Sequence, residues 1–249
     1  MYSRVPMPRF ELDDEECGRS IGFLPLVGLI VGGVLFAVTR FLSNKPVNVS
    51  FKALMAVIIP LVITGGFHAE GFMDTVDAIR SYRSKEEKLE IMKDPHVGAF
   101  AITQAAAAAL LMIFCFGTIV HLEMTKDVPI VIFACGVFII SRGMAGLTSL
   151  MIKKAKEDGM LAAETKDTGT GVAVFLLVEI TVTVSLLAFL NAIYAGVIVL
   201  VFAIFTVIYR FTVNKNFGGV TGDTAGFYIV TSEVYAITAL AVTALVMLG

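Results

Sequence analysis

Long apolar runs separated by short polar stretches dominate the chain. Seven of them reach or approach the roughly 17–25 apolar residues that a bilayer-spanning helix needs. They cover about 20–42, 52–66, 99–120, 129–151, 171–190, 192–212 and 225–248. The second is short and carries Pro60, and only Asn191 and its neighbours part the fifth from the sixth. The pattern predicts an all-α, polytopic membrane bundle of about seven helices, with residues 1–249 forming one unit.

Composition agrees with this reading and removes its rivals. The 249 residues are 57% hydrophobic and only 16% charged, with a mean hydropathy of +0.86. That excludes an ordinary soluble domain, which is nearer a quarter charged, and excludes disorder, which needs low hydrophobicity. Cys17, Cys115 and Cys135 are too few and too scattered for a disulfide framework or a zinc site. A net charge of −2 offers no basic field to nucleic acid. The first apolar run follows the acidic ELDDEE and does not resemble a cleavable leader.

The few charges are distributed unevenly. If odd-numbered spans start on the side of the N-terminus, that side holds Arg4, Arg9, Arg19, Arg80, Arg83, Lys85, Lys88, Lys93, Lys153, Lys154, Lys156, Lys166, Arg210 and Lys215. These are 14 of the 19 basic residues. Arg40, Lys45, Lys52 and Lys126 fall on the other side, and Arg142 lies within the fourth span. The positive-inside rule then places the N-terminus and the loops 67–98, 152–170 and 213–224 in the cytoplasm of a cell-membrane protein.

The polar residues on that side form two clusters. TGGFHAEGFMDTVDA, 64–78, holds His68, Glu70, Asp74 and Asp77 within ten residues. On a helix over 68–80 the three carboxylates share a face, with nothing basic between them. Such a face calls for a cation or for partial protonation, and hard oxygen ligands suit Mg²⁺ carrying substrate phosphates. The plain alternative is a solvated acidic helix start. HAEGF is no H-E-x-x-H zinc motif, so His68 is a candidate hydrogen-bonding or acid/base group, or a packed core residue.

The second cluster, KNFGGVTGDTAGF at 215–227, precedes the last span. Gly219, Thr221, Gly222, Asp223 and Thr224 form a glycine-rich turn entering a helix, which suits phosphate oxygens, and Asp223 adds a carboxylate. No Walker motif is present, which argues against a nucleotide-hydrolysing pump. In 81–100, Ser84 and Glu87 predict a capped helix that ends at Asp94-Pro95. Arg80, Lys93 and His96 are candidate phosphate-binding groups. Arg142, near mid-span, must face the interior, a cavity or a ligand, and Glu179 or Glu233 could pair with it. The glycines of the first and fourth spans permit close helix packing.

These motifs resemble the cobalamin synthase family of membrane adenosylcobinamide-GDP ribazoletransferases. The resemblance rests on SRVPMP at 3–8, PLVGLIVG at 25–32, TGGFHAEGFMDTVDA, IMKDPHVGAF at 91–100, SRG at 141–143 and FGGVTGDTAG at 217–226. Glu70 stands where the family has aspartate, Ala78 where it has glycine, Pro95 where it has serine, and Val230 where it commonly has glutamate, with Glu233 at a further acidic position. The resemblance implies a Mg²⁺-dependent transfer joining adenosylcobinamide-GDP to α-ribazole or its 5'-phosphate, with release of GMP. Glu70, Asp74, Asp77 and Asp223 would hold the metal, and His68 or a carboxylate would act as base. Arg80, Lys93, Arg142 and the glycine-rich turn would contact phosphate. The implied partners are the corrinoid nucleotide, α-ribazole and the lipid bilayer, and the sequence leaves open whether the chain forms a homo-oligomer. A membrane phosphotransferase of the CDP-alcohol type and a small transporter are the competing readings.

Overall fold

A computed structural model describes residues 20–43, 45–155, 161 and 170–249. SRVPMP, Cys17, Arg4, Arg9, Arg19, Lys156 and Lys166 lie outside the described residues. A 3₁₀ turn, Ile21–Phe23, opens α1 (Leu24–Ser43). There follow α2 (Val49–Thr64), α3 (Phe67–Arg80), α4 (Lys85–Ile91), α5 (Ala99–Lys126), α6 (Val131–Met151), α7 (Thr170–Leu190), α8 (Ala192–Phe217) and α9 (Gly222–Leu248). Among the described residues there is no strand, only a single parallel bridge between Lys154 and Val220.

Six helices, α1 with its 3₁₀ turn and α5 to α9, are long and apolar enough to cross a membrane. The chain is thus a multi-pass helical membrane protein. The second expected span is different in kind. Its helix, α2, has 16 residues and stops at Gly65, and the following α3 is bent from it by 99°. Gly65 and Gly66 both have positive φ, 67° and 84°, which glycine adopts without strain and other residues rarely do. The TGG sequence therefore makes a sharp corner, and the spanning count is six, or seven if the bent pair is one broken span. The third span runs longer than its apolar core suggests, because Glu123 near its end is held by Arg40 at 3.0 Å and by the Val131 amide at 2.6 Å.

Local rules set the other boundaries. Asn191 alone separates α7 from α8 and caps the latter through the amides of Ile193 and Tyr194. Ser84 and Glu87 form the expected capping box, although α4 ends at Ile91 rather than at the Asp94-Pro95 turn. Almost all of α6 is buried, which makes it the central helix. It packs on α1 through Gly28 and Gly32, where a Cβ would lie 2.2 Å from the Phe138 carbonyl oxygen and 2.5 Å from that of Cys135.

Candidate active site

One end of the bundle gathers the polar segments. The loop after α6 pairs with the loop before α9, through Ala155 N–H to Val220 O at 3.0 Å and Val220 N–H to Lys153 O at 2.8 Å. Gly219 is required there, since a Cβ would meet the Lys153 oxygen at 2.2 Å. Lys88 of α4 is buried and donates to Asn216 at the end of α8, at 2.7 Å. The loops at 65–98, 152–155 and 218–221 thus share one end, as the alternating spans require.

Helix α3 forms where expected and presents two faces. Its inward face, His68, Gly71, Phe72, Thr75, Val76 and Ala78, is buried, while Glu70 is exposed and Asp74 and Asp77 are half-buried. The inward face lies against α9, and glycines decide how closely. A Cβ at Gly71 would sit 2.8 Å from both Cα and O of Asp223, and one at Gly226 would sit 2.9 Å from the His68 oxygen. The two motifs, far apart in sequence, therefore touch backbone to backbone. Gly71 admits a neighbouring helix, not a ligand.

The contact brings the acidic groups of both motifs together. The Asp74 carboxyl is pushed up to about 6 by burial first, then by the negative charges of Asp223, Glu70 and Asp77. Among the described residues no three carboxylate, imidazole or thiol groups close around one metal position. The oxygen-rich set instead suits a cation that keeps waters and binds one or two carboxylates plus phosphate, as Mg²⁺ does.

The remaining predicted residues separate into distinct roles. Asp77 accepts the Gly98 amide, and also the Ala101 amide at 2.9 Å, so it caps the start of α5. Gly98 has no room for a side chain there, because a Cβ would press on the Asp77 carboxylate. Thr221 and Thr224 form a reciprocal capping box at the start of α9, and Tyr209 donates to Thr224 at 3.2 Å. Their hydroxyls thus serve the helix cap. Around Gly222 there is open space, and Asp223 sits in the first turn of α9.

His68 is not on the open carboxylate face. It is 5% exposed, lines a chamber of about 30 Å³ with Phe67, Ser149 and Gly226, and neither ring nitrogen has a hydrogen-bond partner among the described residues. Burial, then the nearby Arg142 charge, lowers its pKa to about 3, so the ring is neutral at physiological pH. The rest of the chamber's lining is mostly apolar, with Ile21, Leu24, Ala145 and Ile229. Arg142 is deeper still. It is 1% exposed and donates to Glu233 Oε1 at 2.6 Å and to the Phe138 carbonyl at 3.0 Å, while Ser141 donates to the same Glu233 oxygen at 2.7 Å. Of the two glutamates that could partner Arg142, the fold selects Glu233. The pair joins α6 to α9 inside the bundle.

Arg80, Lys93 and His96 are exposed. Arg80 ends α3 and lines an apolar cleft of about 330 Å³ between α3, α5 and α9. Lys93 pairs with Glu90 at 2.8 Å, and His96 with Asp94 at 2.6 Å.

A family model described as cobalamin-5-phosphate synthase matches residues 1–241. The chain is 34% identical over 237 residues to an adenosylcobinamide-GDP ribazoletransferase of Lachnoclostridium phytofermentans, covering 95% of this chain and 88% of the relative. A protein of the same description from Clostridium botulinum strain Alaska E43 is 34% identical over 236 residues, covering 94% and 91%. One from Listeria monocytogenes is 31% identical over 241 residues, covering 90% and 88%. No solved structure matches the chain. With nearly the whole length matched and the acidic motifs of α3 and α9 in contact, the chain belongs to the cobalamin-5-phosphate synthase family.

Proposed function

We propose that the protein is a Mg²⁺-dependent ribazoletransferase that joins adenosylcobinamide-GDP to α-ribazole, or to its 5'-phosphate, at the carboxylate face of α3 and α9. The observation that carries this reading is the glycine contact placing Asp223 against Gly71, between Glu70 and Asp74 in sequence. The polar end of the bundle, with its excess of basic loop residues, is assigned to the cytoplasm.

In the reaction a ribose hydroxyl of the acceptor attacks the phosphorus bonded to the corrinoid. The new P–O bond replaces the pyrophosphate bond, and GMP leaves. Bound Mg²⁺ would supply positive charge for the pyrophosphate and the departing phosphate. Glu70, Asp74 and Asp223 would hold it. Asp77, whose oxygens accept the Gly98 and Ala101 amides, is assigned to holding the start of α5 rather than to the metal. One carboxylate of this face accepts the proton of the attacking hydroxyl. Neutral His68 stays behind this face and supports the first turn of α3. Arg80 is the exposed cation nearest in sequence to the carboxylates and serves the substrate phosphates.

The reading is tested by the acceptor. Purified protein in lipid should incorporate labelled α-ribazole into a corrinoid product with Mg²⁺ present. Incorporation of diacylglycerol or inositol instead would assign it to the CDP-alcohol type of chemistry.

A further inference from the structure

A second polar anomaly lies outside the active site, on the α1–α6–α7 face. An apolar cavity of about 420 Å³ opens between these helices, and Glu179 lines it. Glu179 is tenth of the 21 residues of α7, so it stands near the middle of a span. Its Oε2 is buried and has no hydrogen-bond partner among the described residues. Arg142 does not serve it, being committed to Glu233.

A carboxyl at that depth is costly and pairs with other polar groups. Lipid headgroups lie about 15 Å from the bilayer midplane, half the hydrocarbon thickness, and acyl chains carry no donor. The backbone amides of neighbouring helices are spent on their own ladders. Among the described residues nothing supplies the partner, and a second membrane-spanning segment brings one to this depth.

The shape of the groove agrees. Gly28 and Gly32 of α1 are explained by contacts within the chain, but a Cβ at Gly33, which lines the groove, would meet nothing within 4 Å. A helical glycine costs about 1 kcal/mol relative to alanine, and here no internal contact requires it. Only 11% of the apolar window of α7 is buried, against 83% for α6. Val182 and Leu186, 52% and 64% exposed, form a ridge beside the groove. A ridge and a groove on one face are what a two-fold interface needs, each copy filling the other. Small residues and interhelical hydrogen bonds are what hold helices together in lipid.

We propose that this face is a homodimer interface, in which α7 of a second copy fills the groove and the Glu179 carboxyls of the two copies, at least one of them protonated and donating, hydrogen-bond across the two-fold axis. The test is disulfide cross-linking of the full chain in membranes, with Val182→Cys as the reporter. Mild oxidation should give a species of twice the 26.7 kDa chain mass. Adding Glu179→Leu should reduce that species at least tenfold, whereas Glu179→Gln, which still donates and accepts, should keep it. Gly33→Leu, at a position where a Cβ meets nothing within 4 Å, obstructs the groove, so it should abolish the species even if the glutamate variant inserts poorly. A reporter that never cross-links, or cross-linking that survives both Glu179→Leu and Gly33→Leu, overturns the proposal.

Discussion

Replacing Asp74 with asparagine should stabilise the metal-free protein while abolishing its activity. The Asp74 carboxyl rises from 3.8 to about 6 through burial and the charges of Asp223, Glu70 and Asp77. At about 1.4 kcal/mol per pH unit, that rise corresponds to about 3 kcal/mol against the charged form. Asp74 is half-buried and at a wet surface, so screening reduces the net effect to ~1 kcal/mol. The direction follows from linkage. A carboxyl whose folded pKa is raised contributes its full stabilisation below pH 3.8, where it is protonated in both states, and loses it as pH rises through about 6. Without metal at pH 7.5, wild type should therefore melt below Asp74→Asn, by about 2–4 °C for a chain of this size. The gap should close at pH 4. Added Mg²⁺ should raise the melting temperature of wild type more than that of the variant. Thermal unfolding in detergent, with chelator or with Mg²⁺, reads all of this. A variant less stable than wild type in chelator at pH 7.5, or one that gains as much from Mg²⁺, would refute the repulsion between these carboxylates.

Three further perturbations separate positioning from chemistry. Gly71→Ala sets a Cβ 2.8 Å from the Asp223 backbone, so α9 must shift by roughly 0.6–1 Å to reach ordinary contact. Turnover should fall about 100-fold with little loss of membrane insertion, because a shift of that size at a reacting centre is costly; unchanged turnover would uncouple the contact from the site. Asp77→Asn weakens the α5 cap and should lower stability by ~1–2 kcal/mol while the Mg²⁺ concentration for half-maximal activity stays within about twofold. Glu70→Gln should raise that concentration about tenfold, and equal effects in the two variants would return Asp77 to the metal set. Arg142→Leu leaves Glu233 buried without its charge partner and should destabilise the fold by about 3–5 kcal/mol, measured by thermal unfolding, with most of the loss recovered in the Arg142→Leu, Glu233→Leu double variant.

The apolar runs made the spans legible, and the spacing of Glu70, Asp74 and Asp77 gave the helical carboxylate face. Periodicity names a face but not what packs on it. Asp77 reads in sequence as a metal ligand, and that it also accepts the Gly98 amide depends on the return of the chain there. Nothing in the sequence marks Gly71 and Gly226 as contact points, yet each fits the backbone of the other motif. Choosing between Glu179 and Glu233 as partner for Arg142 required knowing that α6 faces α9 at that depth. The Thr221–Thr224 cap was within reach of sequence, since the two hydroxyl residues are three apart at a helix start, but the glycines around them pointed to phosphate. The short second span was readable in length and in Pro60; its sharp corner depends on two consecutive glycines with positive φ.

The central claim is that carboxylates from α3 and α9, joined through Gly71 and Asp223, hold Mg²⁺ for ribazole transfer. It is tested most directly by GMP release from adenosylcobinamide-GDP and α-ribazole, using wild type and Asp223→Asn in lipid across a Mg²⁺ titration. Wild type should release GMP only with Mg²⁺, and Asp223→Asn should lose at least 100-fold in rate while keeping its fold. Full release in chelator, or near-wild-type release by Asp223→Asn, would contradict the claim.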